Sequence, residues 1–210
     1  ATGTVNETLS NPTAAPITVV YTFTGSANSC PDAVTVVNVV VNPAPIITNL
    51  PAAVTICSGA QLGFTPTSNV AGAVFSWTSV VSANITGNSN TTGTEITDVL
   101  TNTGNDIETV TYTLTVTGPG PQFCTSAATF VYTVTVDPAV TQTITNNAPV
   151  VCENVVNAVD IDYLTVTENG SISVQAVYGA VTGGAYGGLT VLGATGTVNE
   201  TLSNPTAAPI

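Results

Sequence analysis

The same 17 residues, ATGTVNETLSNPTAAPI, stand at both ends of the chain, at 1–17 and again at 194–210. Seventeen identical positions drawn from a mixed alphabet do not recur by chance in 210 residues, so the two copies are related by repetition. Ala1 recurs as Ala194, which sets a period of 193 residues. We therefore expect the chain to be a window cut from a longer tandem array, one period long plus a 17-residue overlap.

A shorter unit lies inside this period, and the four cysteines mark it. A long interval separates Cys57 from Cys124, and a second interval of nearly the same length runs from Cys152 to the position where the next copy would place Cys30. Two much shorter gaps, from Cys30 to Cys57 and from Cys124 to Cys152, separate these long intervals and are almost equal to each other. Two similar modules therefore alternate along the chain.

Sequence similarity between the modules agrees with the cysteine spacing. The stretch TLSNPTAAPITVVYTF at 8–23 aligns without a gap to VLTNTGNDIETVTYTL at 99–114, and VVNPAP at 40–45 corresponds to TVDPAV at 135–140. The second stretch has a proline at the same distance before the next cysteine in both modules, Pro43 before Cys57 and Pro138 before Cys152. A module is therefore 95 or 98 residues long, and two modules make one period.

This periodicity divides the chain into three parts. We expect residues 1–43 to be the C-terminal half of a module begun in the preceding copy, and residues 44–143 to be one complete module. Residues 144–210 would then be the N-terminal part of the next module, completed by the following copy.

The residue pattern of each module predicts β-strands. TVTYTLTVT at 109–117 places Thr outward and Val110, Tyr112, Leu114 and Val116 inward, a period of two that is typical of a half-buried strand. Gly, Asn and Pro clusters separate the segments, and about seven short strands in such a length favour an all-β, immunoglobulin-like two-sheet sandwich. The other predicted strands are 17–23, 34–41, 73–79, 95–100, 130–136 and 171–179.

Three stretches of the complete module resemble a known family. They are ICSGAQLGFTPTSNVAGAVFSWTS, ITGNSNTTGTEITDVLTNTGNDIETVTYTLTVTGPGPQFC and FVYTVTVDPA, which together cover nearly all of residues 56–140. They resemble the PKD-like (polycystic kidney disease-like) tandem repeats of giant surface adhesins in Bacteroidota. The resemblance implies an immunoglobulin-like β-sandwich used as a spacer, fibre or adhesive unit outside the outer membrane, and it implies no activity for a single module.

The cysteines are expected to form disulfides in an oxidising compartment, because CxxC and His clusters typical of metal sites are absent. We favour Cys57 bonded to Cys124, and Cys152 bonded to Cys30 of the next copy. Pairing across the two short gaps, Cys30 with Cys57 and Cys124 with Cys152, is the alternative. Closing the long loop between Cys57 and Cys124 would stabilise a module by about 4 kcal/mol in the chain-entropy model.

The charge inventory excludes several classes of function. The chain has no Lys, Arg or His and 12 carboxylates. Without cationic side chains it has no groups to meet the phosphates of nucleic acids, and trypsin-like proteases find no Lys or Arg to cleave beside. Without His or Lys, no Ser-His-Asp or Cys-His arrangement can be assembled, so we expect no catalytic residues and no enzyme.

Three further features have structural interpretations that we prefer. Asp160 and Asp162 are two apart and would share one face of a strand, where a calcium or glycosidase-like site is conceivable. We expect a solvated strand edge or loop rim there, with no metal and no cofactor. Trp77 alternates with polar neighbours and is expected in the core, and no apolar run is long enough to span a bilayer, since 34–41 is interrupted by Asn38.

The sequence therefore favours a structural and adhesive function. We expect a repeat unit of a long extracellular cell-surface filament that attaches to surfaces, cells or prey. Its partners would be itself, through adjacent repeats and neighbouring chains, and a surface or cell target that the sequence does not identify. The alternative is a spacer or glycan-binding accessory module of a large secreted enzyme.

Overall fold

The computed structural model describes residues 3–152, 155–156 and 158–203. The regular elements among these residues are all β-strands, which confirms the predicted all-β class. The strands are β1 (Ile17–Gly25), β2 (Ala33–Val41), β3 (Val54–Cys57), β4 (Val74–Val81), β5 (Ile85–Thr86), β6 (Thr91–Gly93), β7 (Thr101–Asn102), β8 (Glu108–Thr117), β9 (Phe130–Asp137), β10 (Thr143–Asn146), β11 (Val159–Leu164), β12 (Ile172–Val174), β13 (Thr190–Gly193) and β14 (Thr195–Glu200).

A five-stranded sheet forms one layer of a central sandwich, with the strand order β3-β9-β8-β4-β6. The strand pairs are antiparallel except that β3 runs parallel to β9. Threonine alternates with apolar residues along β8, so one face of this strand points inward. The predicted inward set is confirmed, because all four side chains are completely buried: Val110, Tyr112, Leu114 and Val116.

The second layer of the sandwich is built from shorter pairings. Phe64 bridges Ile96, Gln61 bridges Val99, and β5 pairs with β7. Ile96 and Leu100 are completely buried between the layers, and together with β8 and β9 they belong to one continuous hydrophobic core. Burying a side chain of this size stabilises a fold by roughly 1.5–3 kcal/mol. Two sheets around one core form the predicted immunoglobulin-like β-sandwich.

Trp77 lies in this core, as predicted from the alternation along β4. Its side chain is 4% exposed, and Phe75 on the same face is 7% exposed. The indole Nε1 donates a hydrogen bond of 3.4 Å to Oγ of Ser89, which satisfies its polar group.

The N-terminal part of the chain forms a hairpin of β1 and β2 with the same register as β8 and β9. Ile17 pairs with Val41 as Glu108 pairs with Val136, four positions that the repeat alignment makes equivalent. The hairpin differs from β8 and β9 in burial, since its apolar side chains are largely open to solvent: Val20, Phe23, Val34, Val36, Val37, Val39 and Val40.

The C-terminal part has a three-stranded sheet, β10-β11-β14, and a two-stranded sheet of β12 and β13. Between them lies a small core of Tyr163, Ile172 and Val198. It is much smaller than the core of the central sandwich. The structure therefore contains one well-packed sandwich flanked by two thinly packed parts.

Two predicted strands are shorter than expected. Residues 95–100 make only isolated bridges, because Asp98 faces inward and accepts hydrogen bonds from the backbone N–H and the hydroxyl of Ser89. Residues 171–179 form a strand only at β12, because the backbone N–H of Ala176 turns to the carbonyl of Tyr186.

Candidate functional site: the module junctions

The central sandwich meets its flanking segments at two opposite ends. We call the end that holds Thr117 and the 118–124 loop the upstream end, because it contacts the N-terminal hairpin. The other end, which holds Glu108 and Asp137, is the downstream end, and it contacts the segment that follows β11. These two junctions are the surfaces at which the central sandwich is joined to the segments before and after it.

At the upstream junction a partly open cavity of about 360 Å³ lies between the base of the hairpin and the sandwich. Its lining is mostly apolar and rich in alanine and proline. The lining residues are Ala14, Ala15, Pro16, Asn42 and Pro43 from the hairpin side, and Val70, Ala71, Gly118, Pro119, Gly120, Pro121 and Cys124 from the sandwich.

The downstream junction is held by two hydrogen bonds to one residue. The backbone N–H of Glu168 donates to the carbonyl of Asn105 at 2.7 Å, and the Glu168 carboxylate accepts from the backbone N–H of Ile107 at 2.7 Å. A carboxylate that accepts from a backbone N–H needs no cationic partner, which suits a chain without Lys or Arg.

The two junctions involve equivalent segments. Residues 14–16 at the upstream junction align with residues 105–107 at the downstream junction. The segments that face them are also equivalent. Residues 70–71 come just after the bridge between Ile47 and Ser68, and Glu168 comes just after the pairing of β10 with β11, which is the same pairing in the next module. Equivalent segments therefore lie at both junctions, where they line a cavity at the upstream end and form hydrogen bonds at the downstream end.

An asparagine holds the corner beside each of these segments, and it is buried in the sandwich and half-buried in the hairpin. Asn102 Nδ2 donates to the carbonyls of Asp106 at 2.8 Å and Val136 at 3.0 Å, and its Oδ1 accepts from the backbone N–H of Gly104 at 2.9 Å. The side chain is 4% exposed. These bonds tie the start of β8 to the end of β9.

Asn11 makes the same three bonds in the hairpin. Its Nδ2 donates to the carbonyls of Ala15 at 2.8 Å and Val41 at 2.7 Å, and its Oδ1 accepts from the backbone N–H of Thr13 at 2.9 Å. The repeat alignment matched Asn11 with Asn102 but assigned them no role, because a bond to a distant part of the chain is not visible in local sequence.

A carboxylate and a tyrosine form a second equivalent pair. Tyr112 Oη donates to Asp98 Oδ2 at 2.6 Å, and burial, followed by this hydrogen bond, raises the pKa of Tyr112 well above its usual value. At the aligned positions Tyr21 Oη donates to Glu7 Oε2 at 2.5 Å, and this bond raises the pKa of Tyr21. The hairpin part thus repeats two polar contacts of the sandwich.

Glu200 is the repeat counterpart of Glu7, and it binds a different tyrosine. Its Oε1 accepts from Tyr178 Oη and, at 2.6 Å, from the backbone N–H of Ala185. This side chain is 7% exposed. The glycine-rich stretch around Tyr178 therefore packs on the same carboxylate position that Tyr21 reaches in the hairpin part.

The structure places Cys57 and Cys124 at opposite ends of the sandwich. Cys57 ends β3 opposite Asp137 at the downstream end, whereas the carbonyl of Cys124 accepts from Gly118 N–H just beyond β8 at the upstream end. β8 has 10 residues and, at about 3.3 Å a residue, separates these ends by about 30 Å. A disulfide requires Cα atoms within about 7 Å.

The structure therefore does not bring the predicted pair Cys57 and Cys124 together, and neither residue forms a disulfide in it. Cys30 and Cys152 are also free thiols and exposed. The predicted pairing of Cys152 with Cys30 of a following copy requires a second copy and stays a prediction.

Asp160 and Asp162 lie on β11, which is the middle strand of its sheet rather than the predicted edge. The Asp162 carboxylate accepts from Thr197 Oγ1 at 2.6 Å and from Asn147 Nδ2 at 2.8 Å. These two bonds lower the pKa of Asp162. In the described part of the chain, no three His, Cys, Asp or Glu residues are grouped as metal ligands would be.

Comparison with known families gives one match, at the central sandwich. Residues 54–140 match the family model of the PKD-like domain, and this stretch forms the immunoglobulin-like central sandwich. Domains of this family are typically non-catalytic modules and are common in extracellular or secreted proteins. A search of curated proteins gave no match. Over residues 3–152, 155–156 and 158–203 there is also no helix with the length and apolarity needed to cross a membrane.

Proposed function

We propose that this chain is a structural and adhesive repeat of a long extracellular filament on a cell surface, in which PKD-like modules follow one another in tandem. The filament holds the cell to a surface, to another cell or to prey. Neighbouring modules of the same chain are its first partners, and neighbouring chains in the filament are the second.

The proposal is supported by features that the two ends of the chain share with the two layers of the central sandwich, as complementary halves of one module would. The hairpin of β1 and β2 has the register, corner asparagine and tyrosine–carboxylate pair of the central sandwich, yet its apolar face is open. The C-terminal part has the pairings of the opposite layer, with β14 repeating residues 2–7. A following copy would supply the missing hairpin.

The equivalent segments at the two junctions support the tandem arrangement. If residues 14–16 meet 70–71 as residues 105–107 meet Glu168, every module can be joined to the next by one repeated geometry. A repeated joint produces a filament of constant form. The absence of Lys and Arg makes such a filament resistant to trypsin-like proteases outside the cell.

The function of a glycan-binding accessory module is less well supported. Trp77, the single tryptophan of the chain, is the side chain best suited to stack on a sugar ring, and it lies in the core. We therefore place the adhesive surface on the assembled filament rather than in a pocket of one sandwich.

The proposal is tested by the mass of the native polypeptide under denaturing and reducing conditions. We expect a mass many times the 21.0 kDa of this chain, because the copies would be joined covalently. A mass near 21.0 kDa would contradict the tandem array. Cells carrying a shortened array should show shorter filaments by negative-stain electron microscopy and weaker attachment, whereas cells with unchanged attachment would contradict the adhesive role.

A further inference from the structure

The four cysteines fall into two structural classes. Cys57 and Cys152 each follow a module-ending proline, Pro43 or Pro138, at the same distance along the chain. Cys30 and Cys124 each lie in the loop between the two strands of an equivalent pair, β1 with β2 and β8 with β9. Each module therefore has one cysteine of each class.

The two classes lie at opposite ends of a module. In the central sandwich Cys57 is at the downstream end, and Cys124 is at the upstream end. The second module has the same strand register, so its Cys152 is expected at its own downstream end and its Cys30 at its own upstream end. When modules are stacked in series, a downstream cysteine faces the upstream cysteine of the next module.

The upstream junction shows where this meeting takes place. In the sandwich, Cys57 lies beside Asp137, and the repeat equivalent of Asp137 is Asn42. Asn42 and Cys124 line the same 360 Å³ cavity. The cysteine that belongs beside Asn42 is Cys152 of the preceding copy, so it enters the cavity that Cys124 lines.

We propose that the cysteines link successive modules covalently: Cys152 of one copy is bonded to Cys124 of the next copy, and Cys57 is bonded to Cys30 of the next copy. The inference rests on the proposed tandem array. It replaces the pairings within a module, Cys57 with Cys124 and Cys152 with Cys30 of the next copy. It also replaces the pairings across the short gaps, Cys30 with Cys57 and Cys124 with Cys152.

The second bond follows from the equivalence of the junctions. At the downstream end Glu168 contacts Asn105 and Ile107, as residues 70–71 face residues 14–16 upstream. The loop that would complete this junction is the β1–β2 loop of the following copy, which carries Cys30. Cys57 is exposed at this end and is available to it.

Each bond forms by oxidation of two thiols. The two sulfurs lose two protons and two electrons and form one S–S bond, while a disulfide oxidant accepts them. With oxidised glutathione, one molecule is reduced to two molecules of glutathione thiol for every bond formed. The bonds make the array a chain of covalently closed joints, so pulling force crosses each junction through a disulfide as well as through the backbone.

The test is a count of disulfides in a chain of two full periods followed by the 17-residue overlap, folded with reduced and oxidised glutathione. This chain has eight cysteines. Free thiols are alkylated in denaturant without reduction, and intact mass gives their number. We expect two disulfides and four free thiols.

The other pairings give different counts, and each would overturn the proposal. Within-module bonds give three disulfides and two free thiols, and bonds across the short gaps give four disulfides and no free thiol. Eight free thiols in a chain whose Trp77 fluorescence shows folded sandwiches would overturn it as well.

Copy-specific variants identify the partners. Cys124→Ser in the second copy should remove one bond and release Cys152 of the first copy. The matched control, Cys124→Ser in the first copy, should leave both bonds intact, because its partner lies in a copy that this chain lacks. A native mass near 21.0 kDa would refute the tandem array while leaving this count unchanged, so the two failures are distinguishable.

Discussion

Replacing Asn102 by alanine tests whether the corner asparagine holds the sandwich together at its downstream end. The substitution removes three hydrogen bonds, to the backbone groups of Gly104, Asp106 and Val136. The side chain is 4% exposed, so water does not readily replace the lost partners.

The magnitude follows from the number and burial of these bonds. A hydrogen bond contributes about 0.5–1.5 kcal/mol net, and a buried polar group left without a partner costs about 1–3 kcal/mol. We therefore expect Asn102→Ala to lower the free energy of unfolding by about 2–4 kcal/mol. A small domain has about 5–15 kcal/mol in total, so the variant should fold but unfold at much lower urea concentration.

The assay is urea unfolding followed by the fluorescence of Trp77, which reports on the central sandwich alone because it is the single tryptophan. The matched control is Asn11→Ala, which removes the same three bonds from the open hairpin. It should shift the Trp77 transition by less than about 0.5 kcal/mol. A shift below that value for Asn102→Ala, or equal shifts for the two variants, would refute the reasoning.

Three further predictions concern backbone strain, alkaline pH and acid pH. Gly87 has φ +92°, and a Cβ added there would clash with the carbonyl oxygen of Val99, so Gly87→Ala should lower the free energy of unfolding by about 3 kcal/mol. The control is Gly59→Ala, at φ +84° in open surroundings, which should lower it by about 1 kcal/mol in the same urea assay. Folding raises the pKa of Tyr112, so the contribution of this residue to stability is complete below the unfolded pKa of 10.0 and is lost as the pH rises above 10.0. Tyr112→Phe should therefore flatten the decline of the free energy of unfolding above pH 10.0. An unchanged slope in that variant would contradict this. Repulsion among 12 carboxylates has no cation to offset it, so filaments should associate laterally near the sequence pI of 4.1, and light scattering that stays flat from neutrality to that pH would argue against it.

The parts of the fold that could be predicted from sequence are those governed by local alternation. Threonine at every second position of β8 fixes which side chains face inward, and all of the predicted ones are buried. Trp77 was predicted in the core for the same reason. The second layer was predicted less well. Asp98 occupies an inward-facing position of the predicted strand 95–100, where its carboxylate accepts hydrogen bonds from Ser89 and Tyr112, and the segment does not form a continuous strand. Such a contact depends on which strands become neighbours.

The cysteine pairing shows what kind of information the spacing lacks. The separation of Cys57 and Cys124 in sequence gives the length of the loop between them, but a bond depends on which end of the sandwich each residue reaches. Each strand takes the chain from one end of the sandwich to the other. Two residues separated by an odd number of strands therefore lie at opposite ends of the sandwich. The register of β3 on β9 and of β9 on β8 places Cys57 and Cys124 in that situation. The far end of one sandwich is the near end of the next, which is why the proposed bonds join neighbouring modules and not two cysteines of one module.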